Sequence, residues 1–179
     1  MYRDKTLIPT EAIRLLALGY LATAPARYGD VAGEVRQFTS RITGPSLDVL
    51  GTSIELLRYE GMVEPIDGQG MADNALLRIT DAGRAELQSL LKSRVRTPVD
   101  GMNKLILALK LRYLHLLEPA ARREQIETLI DMSRSELARL EDLSQRYRDE
   151  PGHLIEWLEH DRGQVQARID WLEDLRNRA

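Results

Sequence analysis

Glycine interrupts mainly the first half of this chain. Gly44, Gly61, Gly68, Gly70 and Gly83 punctuate it closely, whereas after Gly101 only Gly152 and Gly163 remain, so the two halves cannot be built alike. The change falls near Arg96-Thr97-Pro98, where Pro98 cannot continue a preceding helix and disfavours helical geometry at Thr97. A first domain over residues 1–97 and a helix-only domain over residues 98–179 are therefore expected.

In the first half, Thr10 is a candidate N-cap for a helix of roughly Glu11 to Ala22, with Ile13, Leu16, Ala17, Tyr20 and Leu21 at helical spacing. A second helix, about Asp30 to Thr39, turns Val31, Val35 and Phe38 inward. After the Thr43-Gly44-Pro45-Ser46 turn, a third runs from about Leu47 to Glu60 on a stripe of Leu47, Leu50, Ile54 and Leu57. Gly61 sits where helices commonly stop in a left-handed residue. Two short apolar runs, 62–66 and 75–79, flank a Gly- and Asp-rich tip and read as a β-hairpin. Thr80 then caps a fourth helix carrying Ala85, Leu87, Leu90 and Leu91. Three helices, a ribbon and a closing helix, in that order, make a winged helix-turn-helix.

In the second half, Leu105, Ile106, Leu109, Leu111, Leu114 and Leu117 nearly surround a helix over 102–117, which implies burial on several sides. A long helix follows to about Arg148, with Ile126, Ile130, Ser133, Leu137, Leu140, Ser144 and Tyr147 alternating four and three apart as a heptad seam. Asp149-Glu150-Pro151-Gly152 breaks it, and a last helix carries Leu154, Leu158, Val165, Ile169, Leu172 and Leu175. Such helices in so small a segment need partners. A second copy of the chain is the economical answer, with Ile126, Ile130, Leu137, Leu140, Tyr147, Leu158, Val165 and Leu172 at the interface. A monomeric bundle in which the same stripes are core is the alternative. The fold class is thus mainly α with a small β-wing: a winged helix-turn-helix followed by a long-helix antiparallel or coiled-coil dimerisation domain.

Composition narrows the function. With 43% hydrophobic and 30% charged residues among 179, the chain is globular, and no apolar run reaches the ~18 to 20 residues of a membrane span. The charged opening Met1-Tyr2-Arg3-Asp4-Lys5 is unlike a secretory signal, so no membrane partner and a cytoplasmic location are expected. Zero cysteines remove thiol catalysis and zinc-finger frameworks, and no Gly-rich phosphate loop or nucleophile-elbow serine is present, so neither an enzyme nor a cofactor is expected. His153 and His160, seven apart near Glu156 and Asp161, match no metal-ligand spacing, and surface histidines are the expectation there.

Three stretches carry a resemblance: Gly19 to Asp30, Arg58-Tyr59-Glu60-Gly61-Met62-Val63, and above all Leu77-Arg78-Ile79-Thr80-Asp81-Ala82-Gly83-Arg84-Ala85-Glu86-Leu87. In order and wording the chain resembles the PadR-like family of bacterial transcriptional regulators over nearly its full length. It departs at helix 3, where Asp48-Val49-Leu50-Gly51-Thr52-Ser53-Ile54 stands in place of the family's frequent Gly-Thr-Leu-Tyr-Pro-Ala-Leu. The resemblance implies a homodimer that binds an inverted-repeat operator in double-stranded DNA, usually to repress. It also implies release by a small apolar or aromatic effector in some members. A winged-helix adaptor that binds protein rather than DNA is the alternative, supported by the altered helix 3 and by a winged half with 12 basic and 12 acidic residues.

A helix-turn-helix touches DNA with the exposed start of its recognition helix, which selects Ser46, Asp48, Val49, Thr52 and Ser53, with Arg58 two turns further on. Ser46 doubles as an N-cap, and Arg58 could equally pair with Glu55 or Glu60. Tyr28 at the head of helix 2 is a candidate phosphate contact, core packing being the alternative. Arg36, Gln37 and Arg41 add polar surface; Gln69, Asn74 and Arg78 belong to the wing; and Arg3 with Lys5 forms a loose basic arm. For an effector, Trp157 and Trp171, with Tyr113 and Tyr147 as neighbours, could stack a planar ligand, interface core being the alternative. Asp161 and Arg168 are expected to set register across the dimer or to lie at its rim.

Overall fold

A helix apolar around most of its circumference has to be covered on several sides, and the first helix of this chain is one. In the computed structural model, which describes residues 9–43, 50–66, 74–96, 98–149 and 151–179, α1 (Pro9–Thr23) buries Ala12, Ile13, Leu15, Leu16, Ala17, Leu18 and Leu21. It starts at Pro9, ahead of the expected cap Thr10, because proline's fixed φ suits a first helical position. Around it pack α2 (Tyr28–Thr43), α3 (Leu50–Tyr59), α4 (Asp81–Lys92), α5 (Gly101–Tyr113) and strand β3 (Leu76–Ile79).

The ribbon is three-stranded, one strand more than the sequence suggests. β1 (Ala26–Arg27) and β2 (Val63–Pro65) flank β3 in the antiparallel order β1-β3-β2, with Ala26 opposite Leu77 and Val63 opposite Ile79. Leu77 and Ile79 point into the core while Arg78 between them is exposed, the period-two pattern of a half-buried strand.

Two caps join the ribbon to its helices. α3 ends in a Schellman motif: Gly61 at φ 73° lets its N–H reach the Arg58 carbonyl and the Met62 N–H reach that of Leu57. Thr80 caps α4 by accepting from the Gly83 N–H at 3.1 Å, and its hydroxyl donates to the Gly61 carbonyl at 2.7 Å. Gly83 is required by close approach, since a β-carbon there would stand 2.1 Å from the Met62 carbonyl oxygen.

The described residues divide into two compact units, and the division differs from the boundary expected at 97/98. α5 and the 3-10 turn Leu114–Leu116 belong with the first unit, which runs to Arg94 and resumes over Val99–Leu117; the second comprises Val95–Pro98 and Glu118–Ala179. Pro98 does interrupt the helices, but the nearly all-round apolar surface of α5 is spent on α1 and α2. A break in local geometry does not say which side the next helix packs against.

The second unit is an antiparallel hairpin of α6 (Pro119–Arg146) and α7 (Leu154–Arg178). Its register is visible in the pairs Glu127–Arg176 at 2.8 Å, Arg134–Glu173 at 2.6 Å and Glu141–Arg162 at 3.2 Å. Ile126, Ile130 and Ser133 of the expected seam are buried, Leu137, Leu140, Ser144 and Tyr147 are half-buried, and Leu158, Val165, Ile169 and Leu172 are buried on α7. The seam assigned to a second chain is thus filled in large part from within. Within the hairpin Arg168 donates to Ser133 Oγ at 3.2 Å and pairs with buried Glu136. Among the described residues no helix is long and apolar enough to cross a membrane.

Lys110 of α5 is 2% exposed, and its Nζ donates to the Leu91 carbonyl at the end of α4 at 2.5 Å. Burial pushes its pKa down from 10.5 to about 7. Between these values the unfolded chain holds a proton that the native state has lost, so stability rises with pH from about 7 to about 10, by up to about 1.4 kcal/mol per pH unit. Urea unfolding along that series should show the slope, and Lys110→Met should flatten it. Gly83→Ala should cost about 2 to 3 kcal/mol in the same assay, because the added carbon meets backbone rather than a side chain that can swing away.

Candidate nucleic-acid interface

The polar face of the helix-turn-helix begins with α2. Its Val31 and Val35 are buried, and Thr39 with them, leaving Arg36, Gln37, Ser40 and Arg41 exposed along one side of the last two turns. No acidic residue occurs from Val35 to Thr43, and Arg41 lies in the last turn, where the helix dipole favours a cation. On α3, Ile54 and Leu57 are buried and Glu55, Arg58 and Tyr59 exposed. Arg36, Arg41 and Arg58 have no carboxylate partner among the described residues, so the pairing of Arg58 with Glu55 or Glu60, the alternative to a phosphate contact, does not form.

This bears on the balanced charge of the winged half. Its carboxylates are not spread evenly over the surface; several are spent on arginines of the scaffold. Glu60 and Glu86 lie 2.7 and 3.6 Å from Arg14. Glu34 lies 2.7 Å from Arg112, whose guanidinium stacks over Phe38 at 4.7 Å. The arginines left over include those on the α2–α3 surface. Glu55 remains as an unpaired acid on that surface among the described residues.

The wing is neutralised at its base. Arg78 and Glu64 face each other across β2 and β3 and form an ion pair at 2.6 Å, both about half exposed. The Asn74 carbonyl accepts from Arg27, whose two-residue strand has no periodicity by which a sequence reveals it. Tyr28, half-buried, hands its backbone N–H to the Ala75 carbonyl at 2.9 Å, so the head of α2 is fastened to the ribbon. Ser46, Asp48, Val49 and Gln69, like Arg3 and Lys5, lie outside the described residues, and so do the side chains of Thr52 and Ser53 on the first turn of α3.

The aromatic residues nominated for an effector take separate places. Tyr113 is buried in the first unit with its ring against Gly19 and its hydroxyl 3.4 Å from the Leu16 carbonyl, and burial pushes its pKa up to about 12. Trp157 and Trp171 are 57% and 45% exposed on α7. A cleft of about 470 Å³ between α6 and α7 is lined by Glu141, Arg148, Glu159 and Arg162, with Ile155 its one apolar residue, and contains no aromatic ring. No cluster of metal-ligating side chains occurs among the described residues.

A protein-family model described as "Putative AphA-like transcriptional regulator" matches residues 2–176. No curated protein matches the chain. Among solved structures it is similar to smu.1604c of Streptococcus mutans, with 17% identity, 90% of this chain and 96% of that one covered, and a TM-score of 0.39. It is also similar to Bacillus subtilis PadR, at 13% identity, 95% and 96% coverage and a TM-score of 0.41. For the same protein in complex with operator DNA the identity is 14%, the coverage 92% and 97%, and the TM-score 0.39. A transcriptional regulator is what the sequence resemblance to PadR-like proteins led one to expect.

The Arg78–Glu64 pair gives a test of the wing. Glu64→Gln frees a cation at its base, so affinity for duplex DNA should rise severalfold, and the slope of log affinity against log salt should steepen by about 0.9. Fluorescence anisotropy across a salt series checks both.

Proposed function

The chain belongs to the AphA-like family of transcriptional regulators, and from that membership we propose that it is a homodimer that binds an inverted-repeat operator in double-stranded DNA and represses from it. The observation that carries the DNA-binding part is the α2–α3 surface, where Arg36, Arg41 and Arg58 are exposed without carboxylate partners while Glu34, Glu60 and Glu86 are engaged with scaffold arginines. Free guanidinium groups on a helix-turn-helix are what phosphate neutralisation requires. In this reading residues 1–97 hold the DNA-binding elements, Tyr28, Ser46, Asp48, Val49, Thr52, Ser53, Gln69, Asn74 and Arg78 completing the contact set. The protein acts by binding and not by catalysis.

The dimer is assigned to residues 98–179. Because the α6–α7 seam closes within the chain, the surface offered to a second copy is the outer face of α7 around Trp157 and Trp171, together with exposed Leu143 and Leu154. Large exposed tryptophans beside a closed seam are a common mark of an interface. Release by a small apolar or aromatic ligand belongs to the same proposal.

A second reading has its own support. Leu56, Tyr59 and Ile66 of the winged half are 48%, 90% and 45% exposed, large apolar side chains of the kind a protein partner covers. In vitro selection of random duplexes separates the two. An enriched inverted repeat with half-site centres about 34 Å apart supports the regulator, and Arg36→Gln or Arg41→Gln should each lower the salt slope by about 0.9. No enrichment favours the adaptor. For the dimer, light scattering should give twice the 20.4 kDa chain mass, reverting to one chain in Trp157→Ser/Trp171→Ser.

A further inference from the structure

Arg14 stands on α1 with buried residues on either side of it, and its own side chain is mostly covered. Its guanidinium meets three elements at once. Nη2 lies 2.7 Å from Glu60, the residue after α3; 3.6 Å from Glu86 on α4; and 3.2 Å from the sulfur of Met62, which leads into β2. Glu60 is placed against electrostatic preference, because a carboxylate at a helix C-terminus faces the negative end of the dipole. Arg14 offsets that repulsion, and the Glu60 hydrogen bond, outweighing desolvation, raises the Arg14 pKa further.

The Schellman turn of Glu60, Gly61 and Met62 joins α3 directly to β2, and the Met62 carbonyl accepts from the N–H of Thr80, the cap of the closing helix. We propose that Arg14 is a positioning residue for the DNA-reading surface: by fixing Glu60 and Met62 against α1 and α4, it sets the angle between the recognition helix and the wing. This rests on the DNA-binding reading given above. Arg14 itself lies on the scaffold and contributes no phosphate contact. Lysine in its place could pair with Glu60, but as a point charge on a flexible stem rather than a planar guanidinium.

The test uses the full chain as wild type, Arg14→Met, Arg14→Lys and the milder Glu60→Gln. Hydrogen exchange is read at the Met62 and Thr80 amides, with α5 amides as the control, and affinity is measured for the selected duplex and a scrambled one across a salt series. Arg14→Met should lower protection at Met62 and Thr80 about tenfold with α5 unchanged, and reduce the ratio of selected to scrambled affinity about tenfold at an unchanged salt slope. Glu60→Gln should move both in the same direction by less, and Arg14→Lys should recover part of each. A salt slope lower by about 0.9 would make Arg14 a phosphate contact and overturn the proposal. So would unaltered exchange at the two amides, or an unaltered affinity ratio in folded variants. If the wild type enriches no duplex, the DNA-binding reading fails, while exchange at Met62 and Thr80 still decides whether Arg14 holds the turn.

Discussion

The winged unit depends on the burial of α1. Seven of its apolar side chains are out of contact with water, and no single neighbour could cover a helix on so many sides. α2, α3, α4, α5 and β3 are therefore all held by one central rod. The drive for that arrangement is the removal of apolar area, which has no direction of its own. Direction comes from polar contacts at the rim: the Thr80 cap, the Schellman turn at Gly61, and the ion pairs of Arg14 and Arg112.

Those rim contacts also explain how a chain with nearly balanced charge can present a cationic surface. Net charge is a sum over the sequence, but a phosphate responds to charges that remain unpaired near it. Where Arg14, Arg78 and Arg112 draw carboxylates to themselves, Arg36, Arg41 and Arg58 are left without a partner among the described residues. Scaffold pairing and surface charge are two results of one distribution. The same pairing holds the turn between α3 and the ribbon, because Glu60, the acid that Arg14 engages, stands at its start.

The helical hairpin follows a different rule. Its apolar seam fixes that α6 must lie against a heptad-matched partner, and α7 supplies one through the turn at Pro151-Gly152. A polar layer of Ser133, Glu136 and Arg168 interrupts the seam, and such a layer penalises every register in which its members are left unpaired. The tryptophans stay outside that seam. Exposure of side chains so large asks for cover from elsewhere.

Much of this was legible before any coordinate. Element order, the Thr80 cap, the Gly61 stop and the outward Arg78 all follow from local rules: turn residues, capping oxygens and the two periodicities of strand and helix. Strand β1 was not, because two residues carry no period and become a strand only when β3 lies alongside. Nor was the allegiance of α5, the partner of the α6 seam, or the fate of Tyr113. A heptad pattern states that a face must be covered and is silent on whether the cover is the same chain or another. By itself the sequence determined which faces must leave water and which residues punctuate the helices, Gly61 and Thr80 among them, because those depend on neighbours a few positions away. Only the tertiary structure decided which carboxylate meets which arginine, and so which arginines are left unpaired among the described residues, because Arg14 and Glu60 or Glu34 and Arg112 become neighbours only once α1 is surrounded.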